Sequence, residues 1–362
     1  MNQFFIDENI SLAKTIHSDF YTSQDIFSLS KEKIFSKSFQ FIGDLDLFPD
    51  NGFAYPITFL ESFLDEPLII LKDNNSNLKL VSNVCTHRGN ILVNKPQNLN
   101  QIRCGYHGRT FNSNGEFQSM PEFEGVQNFP CKDDNLTELN IFKWGNLLFS
   151  SLNNDSDPLK FFGEMIDRMN FIQLDKLVRR DDLSKDYYIE ANWALYCDNY
   201  LEGFHIPFVH NSLNNVLDFE NYNNEIFYPY SNLQLGISKS KIGTFDLPKT
   251  SPDYGKFVAA YYFWVFPNMM FNFYPWGLSL NIVKPLAHNK TKISFITYTY
   301  DESLINIGAG VGLDTVELED EAVVESVQKG VKSRFYNQGR FSIKREKCTH
   351  HFHTLLSKFL NS

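Results

Sequence analysis

The chain is poor in the features that most quickly settle a protein's class. Its 362 residues include only five cysteines, Cys85, Cys104, Cys131, Cys197 and Cys348, at no regular spacing. So few, so scattered, exclude a disulfide-stapled secreted scaffold and point to free thiols in a reducing compartment, hence a cytoplasmic location. Long hydrophobic runs are absent: the aromatic stretch Tyr261–Trp276 is broken by Pro267, Asn268, Asn272 and Pro275, which rules against a membrane span. Residues 1–7 carry no basic segment ahead of an apolar run, so no signal peptide is expected. Positive charge is in deficit, 33 basic against 43 acidic residues for a net charge of −10. That weighs against nucleic acid or an anionic membrane as partner and is compatible with docking a basic protein. No repeat or low-complexity tract is present. Gly308-Ala-Gly310-Val-Gly312 has the glycines of a dinucleotide loop but neither its strand–loop–helix setting nor a downstream ribose acid, so a connection is expected there.

What remains is the composition of an ordinary globular protein, 43% hydrophobic and 21% charged, long enough for two cores. Residues 1–40 read as helical at intervals, with Asp25 and Ser30 as N-cap candidates. From Phe41 to about Leu152, short β-prone runs alternate with Asn/Gly/Pro turns: Pro67–Lys72, Leu78–Val84 and Asn146–Ser150. Asp155-Ser-Asp-Pro158 marks a boundary, followed by a helix around Lys160–Asn170. Further strands are expected at Tyr187–Asn192, Phe257–Phe266, Met269–Tyr274, Ser279–Lys284 and Lys292–Tyr300. Helices are expected from Trp193 to Val216 and from Asp314 to about Phe335, the latter with Leu318, Ala322, Val323, Val327 and Val331 near one face. The fold class is α+β, divided into an N-terminal helical segment (1–40), a small antiparallel β domain (41–155) and a second domain (156–362).

The chemistry is concentrated in two places. Cys85-Thr-His87 and Cys104-Gly-Tyr-His107 lie sixteen residues apart and each offers one thiolate and one imidazole. Two Cys and two His are the ligands of a Rieske [2Fe–2S] centre, where imidazoles in place of two thiolates raise the potential. A structural zinc site is the alternative, but zinc sites of this composition usually pair Cys with Cys and His with His. Here both pairs are mixed and both run into glycine, Gly89 and Gly108, where small residues would let backbone N–H groups approach cluster sulfurs. The second place is Asp198-Asn-Tyr-Leu-Glu202-Gly-Phe-His205-Ile-Pro-Phe-Val-His210. Two histidines with a distant carboxylate form the facial triad of a catalytic Fe(II) site. Residues five apart do not share an ideal helical face, so Gly203 and Pro207 would have to permit a distorted or π-type turn. The distant acid is one of Glu317, Glu319, Asp320, Glu321 and Glu325, of which Asp320 falls nearest the apolar side.

Together these segments resemble the Rieske non-haem iron oxygenases, α-subunit type. The cluster loops match that family's motif, and Asn199…Glu202…His205…His210 matches Asn-x-x-(Asp/Glu)-x-x-His-x4-His. Glutamate at 202 and the run Glu319-Asp320…Glu325…Gln328 are most similar to the carnitine and choline oxygenase branch. The resemblance implies a small Rieske domain followed by a helix-grip catalytic domain, with Cys85, His87, Cys104 and His107 on the cluster and His205, His210 and Asp320 on mononuclear Fe(II). It makes Glu202, with Asn199 beside it, the link between that iron and the cluster of a neighbouring subunit in a homotrimer. It also implies O₂ and a small organic substrate, with electrons from a separate flavin or iron–sulfur reductase using NAD(P)H. The expected substrate is a quaternary ammonium compound, hydroxylated or N-demethylated. Tyr196, Tyr200, Phe204, Phe271, Tyr274 and Trp276 are candidates for a cation–π cage. Aromatic-ring hydroxylation is the alternative substrate reading, and a Rieske electron carrier without catalytic iron the alternative of another class. Ring faces converging near a carboxylate would favour the cation, and a bare apolar pocket the arene.

Overall fold

A computed structural model describes residues 4–210, 213, 215, 217–305, 307–310 and 313–362. The chain divides into two compact units: Phe39–Ser156, and Met1–Ser38 together with Asp157–Ser362.

The smaller unit is built of short antiparallel strands. Gln97–Asn98, Phe53–Phe59, Glu66–Lys72, Leu78–Ser82 and Glu138–Leu139 form one sheet in that order. Gln101–Arg103, Thr110–Asn112 and Phe117–Ser119 form a second, and Gln40–Asp44, Leu147–Ser150 and Ile141–Trp144 a third. Leu68, Ile69, Ile70 and Leu71 are all buried, as expected of a central strand covered on both faces. Its hairpin to Leu78 closes on an Asx turn, in which Asp73 Oδ1 accepts from the backbone N–H groups of Asn75 and Asn77, each at 2.8 Å. Cys85 and Cys104 sit in the same core cluster as Ile69, Val81, Ile102 and Phe111, so both cluster loops are rooted in packed apolar matter.

The described residues of the larger unit form an eight-stranded antiparallel sheet. Its path runs Val178–Arg179, Lys290–Thr299, Gly277–Ala287, Met269–Tyr274, Val258–Val265, Ser231–Ile237 and Asn223–Phe227, with Lys185–Ile189 also paired to Lys290–Thr299. Met269–Tyr274 is buried at every position and Val258–Val265 at all but Tyr262, as expected of central strands covered on both faces. Each fully buried aromatic there, Trp264, Tyr261 or Phe263 among them, contributes on the order of 2–3 kcal/mol. The helix Leu159–Arg168 lays Phe161, Phe162 and Met165 on the sheet. In its last turn Arg168 is bound to Asp253, at 2.7 Å, and to Glu225, at 2.8 Å.

Three local expectations change. Ser23, not Asp25 or Ser30, caps the helix Gln24–Lys33, its hydroxyl accepting from Ile26 N–H; Ser30 is buried inside that helix and bonds Phe27 O. The helix expected from Trp193 to Val216 is interrupted: Trp193–Tyr200 and Ile206–Val209 are separate helices, and residues 211, 212, 214 and 216 lie outside the described residues. The helix Leu313–Gly330 turns a different face inward. Leu318 and Val327 are 60% and 42% exposed, whereas Glu317, Val324 and Gln328 are buried, spaced seven and then four residues apart. It is held in that rotation at its far end, where Gln328 Oε1 accepts from Asn192 N–H at 2.7 Å and Glu325 Oε1 from Glu190 N–H at 2.9 Å. Gly308–Gly310 is a short 3₁₀ turn packed on Gly243 and Trp276, not a phosphate loop; Val311 and Gly312 lie outside the described residues.

Candidate metal centres

In the smaller unit the two Cys–His loops have the same construction. Gly89 N–H donates to Cys85 O at 2.9 Å, and Gly108 N–H to Cys104 O at 3.1 Å. Each glycine has positive φ, +71° and +76°, which a side chain would strain. The glycines therefore close the loops rather than donate to sulfur, as the sequence had suggested. Donors to Cys104 Sγ come instead from Tyr106 N–H at 3.5 Å and Asn90 Nδ2 at 3.6 Å. Against the desolvation of burial, these and the His107 N–H lower the Cys104 thiol and favour the thiolate that binds metal. The rings of His87 and His107 stand 4.8 Å apart. Desolvation first, then His107, Arg88 and Arg109, hold His87 below the usual imidazole range, in the neutral form that ligates metal. His107 Nδ1 is buried without a hydrogen-bond partner, an orphan that a cluster iron would satisfy.

A third loop binds both of these. Asp134 O accepts from Thr86 Oγ1 at 2.8 Å and from Arg109 Nη2 at 3.2 Å, while the Asp134 carboxylate takes Arg109 Nη2 at 2.5 Å and Cys131 N–H at 2.7 Å. Arg109 is buried, its guanidinium 4.8 Å from the Phe117 ring centroid and 5.5 Å from that of Phe129.

In the larger unit, His205, His210 and Asp320 each present a ligand atom within 4.8 Å of the others. The five-residue spacing works because the helix stops. His205 precedes and His210 follows the short helix Ile206–Val209, with Pro207 in its first turn, where no N–H is needed. No π-type turn is involved. Gly203 lies in the break against Tyr222: a Cβ there would be 2.6 Å from the ring.

The orientation of both imidazoles follows one rule. His205 Nδ1 is 2.7 Å from Glu202 Oε1, and its Nε2 is 3.5 Å from Asp320 Oδ1. His210 Nδ1 is 2.7 Å from Glu319 Oε2, and its Nε2 is 3.0 Å from Asp320 Oδ1. A carboxylate behind each ring fixes the tautomer that leaves Nε2 as the metal-facing atom. Asn199 Nδ2 donates to Asp320 Oδ1 at 2.6 Å. Glu202 Oε2 accepts from the backbone N–H groups of Phe204 and His205, so its carboxylate caps the turn it stands on. These residues fit an Fe(II) of facial-triad type: two imidazole nitrogens, one carboxylate and an open side.

That open side faces a cleft of about 810 Å³, solvent mouth included. One row of the sheet forms part of its wall, Gln234 opposite Tyr262, Tyr262 opposite Asn272, Asn272 opposite Ser279. Tyr200 OH donates to Asn272 Oδ1 at 2.8 Å, and Tyr222 OH to Gln234 Oε1 at 3.4 Å. Tyr196, Tyr200 and Tyr274 line the cleft. Phe204, Phe271 and Trp276 do not: Phe204 is 43% exposed, Phe271 belongs to the core, and Trp276 stacks behind Tyr274 at 5.0 Å. The sequence reading missed Tyr222, Tyr262 and Phe295 in their place. Glu317 and Glu319, candidates there only for the distant acid, take other places: Glu317 is buried and accepts from Tyr196 OH at 2.6 Å, and Glu319 stands behind His210. Burial, with Asp320 and Glu321 nearby, pushes the Glu317 carboxyl up to about 8 against the Tyr196 hydrogen bond. The detectable signal was polar residues at period two inside apolar strands, Asn272 with Tyr274 and Ser279 with Asn281.

The family described as "Ring hydroxylating alpha subunit (catalytic domain)" matches residues 174–362, and "Rieske [2Fe-2S] domain" matches residues 58–130. The chain belongs to the Rieske ring-hydroxylating oxygenase family, as an α subunit. Choline monooxygenase of Arabidopsis thaliana, a chloroplastic protein, is 30% identical over 95% of this chain and 82% of its own. The carnitine monooxygenase oxygenase subunit of Escherichia coli (strain K12) is 26% identical over 96% and 94%. A solved quaternary ammonium Rieske monooxygenase, studied for carnitine oxidation and inter-subunit electron transfer, has the same fold, with a TM-score of 0.74 and 24% identity over 97% of this chain and 96% of that one. As a Rieske oxygenase the chain is an oxidoreductase with a [2Fe–2S] domain and a mononuclear-iron catalytic domain acting on a small molecule. Among the described residues no helix is long and apolar enough to cross a membrane.

The His350-His351-Phe-His353 run does not enter this chemistry. His350 and His351 bond the carbonyls of Asp7 and Pro229, and His353 lies between Ile16 N–H and Asp198 Oδ1.

Proposed function

We propose that the chain is the oxygenase component for a quaternary ammonium compound, which it hydroxylates or N-demethylates. The observation that carries this reading is the tyrosine-lined cleft beside the His205–His210–Asp320 group, with a buried carboxylate in its wall. An arene would be served by a bare apolar wall, whereas tyrosine faces and an acid serve an onium cation. The relatives named for choline and carnitine point the same way.

In this reading residues 41–155 are the cluster domain and 156–362 the catalytic domain, with residues 1–40 packed on the latter. Cys85, His87, Cys104 and His107 hold the cluster; His205, His210 and Asp320 hold the iron. Together the two centres supply single-electron delivery and O₂ activation beside the substrate. The chain's own groups do the rest. Glu202 and Glu319 hold the imidazoles by Nδ1, and Asn199 fixes the Asp320 carboxylate. Glu202 is the residue through which a cluster histidine of a neighbouring subunit reaches this iron. A head-to-tail homotrimer closes every such contact in a ring. Electrons come from a separate NAD(P)H-dependent flavin or iron–sulfur reductase, and three unpaired cysteines beyond the cluster pair, Cys131, Cys197 and Cys348, suit a cytoplasmic location.

Purified protein supplied with a surrogate reductase and NADH is expected to consume O₂ in step with product formation on quaternary amines and not on arenes. Iron analysis is expected to give the cluster pair plus one per chain, and His205→Ala to lose that one alone. Coupled turnover on arenes only, or an iron content unchanged by His205→Ala, would overturn the reading.

A further inference from the structure

Four carboxylates surround the iron group, and three of them have a cationic or metal-facing partner. Glu202 is held to His205, Glu319 to His210, and Asp320 faces both imidazoles. Glu317 has none. It is 4% exposed and lines the cleft one helical turn before Asp320. Tyr196 OH occupies its Oε2, and its Oε1 is buried without any hydrogen-bond partner. A bare buried carboxylate oxygen is costly, so burial alone favours the neutral carboxyl, and an arriving cation would draw Glu317 into its charged form. Among the described residues lining the cleft there is no lysine or arginine to do so.

We propose that Glu317 is the anion that recognises the substrate's ammonium charge, and that the cleft selects a singly charged cation lacking a carboxylate over a zwitterion. This rests on the quaternary ammonium reading above and adds its specificity. A quaternary nitrogen has no N–H, so attraction to Glu317 is Coulombic, and the tyrosines lining the same cleft would complete the cation's surroundings. A carboxylate on the substrate would meet Glu317, Glu202 and Asp320 with no basic side chain to receive it, and such like-charge contact is a strong basis for rejection. Glutamate at this position thus determines specificity without ligating the metal.

The test is equilibrium binding to the anaerobic holoenzyme, by calorimetry, of three probes of similar shape. These are choline, glycine betaine as zwitterion, and 3,3-dimethylbutan-1-ol as the neutral carbon analogue of choline. Choline is expected to bind best, and Glu317→Gln to weaken choline by about 30-fold or more while leaving the neutral analogue within about twofold. Iron content and melting temperature of the variant serve as controls. Equal weakening of choline and the neutral analogue would mean that Glu317 merely positions Tyr196, and would overturn the proposal, as would unchanged choline binding. Should the variant fail to fold, wild-type protein decides alone: choline bound no better than betaine or the neutral analogue refutes the role of Glu317. Binding of no quaternary amine at all would instead sink the substrate reading itself.

Discussion

Glu319 gives the sharpest test of how the iron site is built, because the sequence offers it only as part of an acidic run. His210 is 1% exposed, and its Nδ1 has Glu319 as its partner at 2.7 Å. In Glu319→Ala that ring nitrogen would be left without its acceptor, at a cost of about 1–3 kcal/mol for a buried unsatisfied donor. Glu319 itself is 36% exposed, so water reaches part of the vacated space and solvent already screens the pair. The lower half of that range, about 1–2 kcal/mol, corresponds to a loss of roughly 5- to 30-fold in affinity for the metal, toward the low end of what outer partners of ligating histidines generally contribute. The assay is competition for the mononuclear iron by a graded chelator, with the cluster's visible absorption as an internal reference. Glu321→Ala, on the same helix, makes no such contact to His210 and is expected to hold iron as wild type does. If Glu319→Ala retains iron with wild-type affinity, the carboxylate behind His210 does not organise the site.

Glu202→Gln is expected to keep both metals and yet turn over at least about 100-fold more slowly, because the amide cannot serve as a charged link between subunits; near-normal product formation would remove Glu202 from that role. Arg109→Met would leave the Asp134 carboxylate beside both cluster loops without its cation, destabilising the smaller unit by about 3 kcal/mol, read as earlier loss of cluster absorbance in urea. Burial, the first cause, holds His351 down from its usual 6.5 to about 4, with Lys358 and His350 adding to it against the Pro229 carbonyl. Between those values the unfolded chain binds a proton that the folded chain refuses, so stability is complete above about pH 6.5 and falls as pH drops toward 4, by up to about 3 kcal/mol. His351→Gln should flatten that part of the urea-midpoint profile, and an unaltered slope between pH 7 and 5 would refute the assignment.

Much of this site could be read from residue types and spacing, and the limits of that reading have physical causes. Cys85, His87, Cys104 and His107 stand in short loops, where proximity in sequence becomes proximity in space. His205 and His210 are near neighbours for the same reason, though a broken helix rather than a distorted one brings them together. Asp320 was harder, since Glu317, Glu319, Asp320 and Glu321 spread around the helix at successive rotations and charge alone does not rank them. Choosing the inward face by its valines fails because the buried face is partly polar: Glu317 lines the cleft beside Tyr196, Gln328 is buried against Asn192, and Leu318 is left outside. The tyrosine wall was only half legible. Which aromatics of a strand face a pocket depends on the register of its neighbours, and the row Gln234–Tyr262–Asn272–Ser279 exists only once the strands are paired.

His210 and Asp320 meet across 110 residues of chain, a span that includes most of the sheet. A metal ion holding both is therefore a removable cross-link around the catalytic unit, closing a long loop in the manner of a staple. Its occupancy would raise the unfolding temperature of that unit with free iron concentration while leaving the unfolding of Phe39–Ser156 where it was. Iron supply and protein lifetime would then be tied together, and an oxygenase starved of metal would be the first to be cleared.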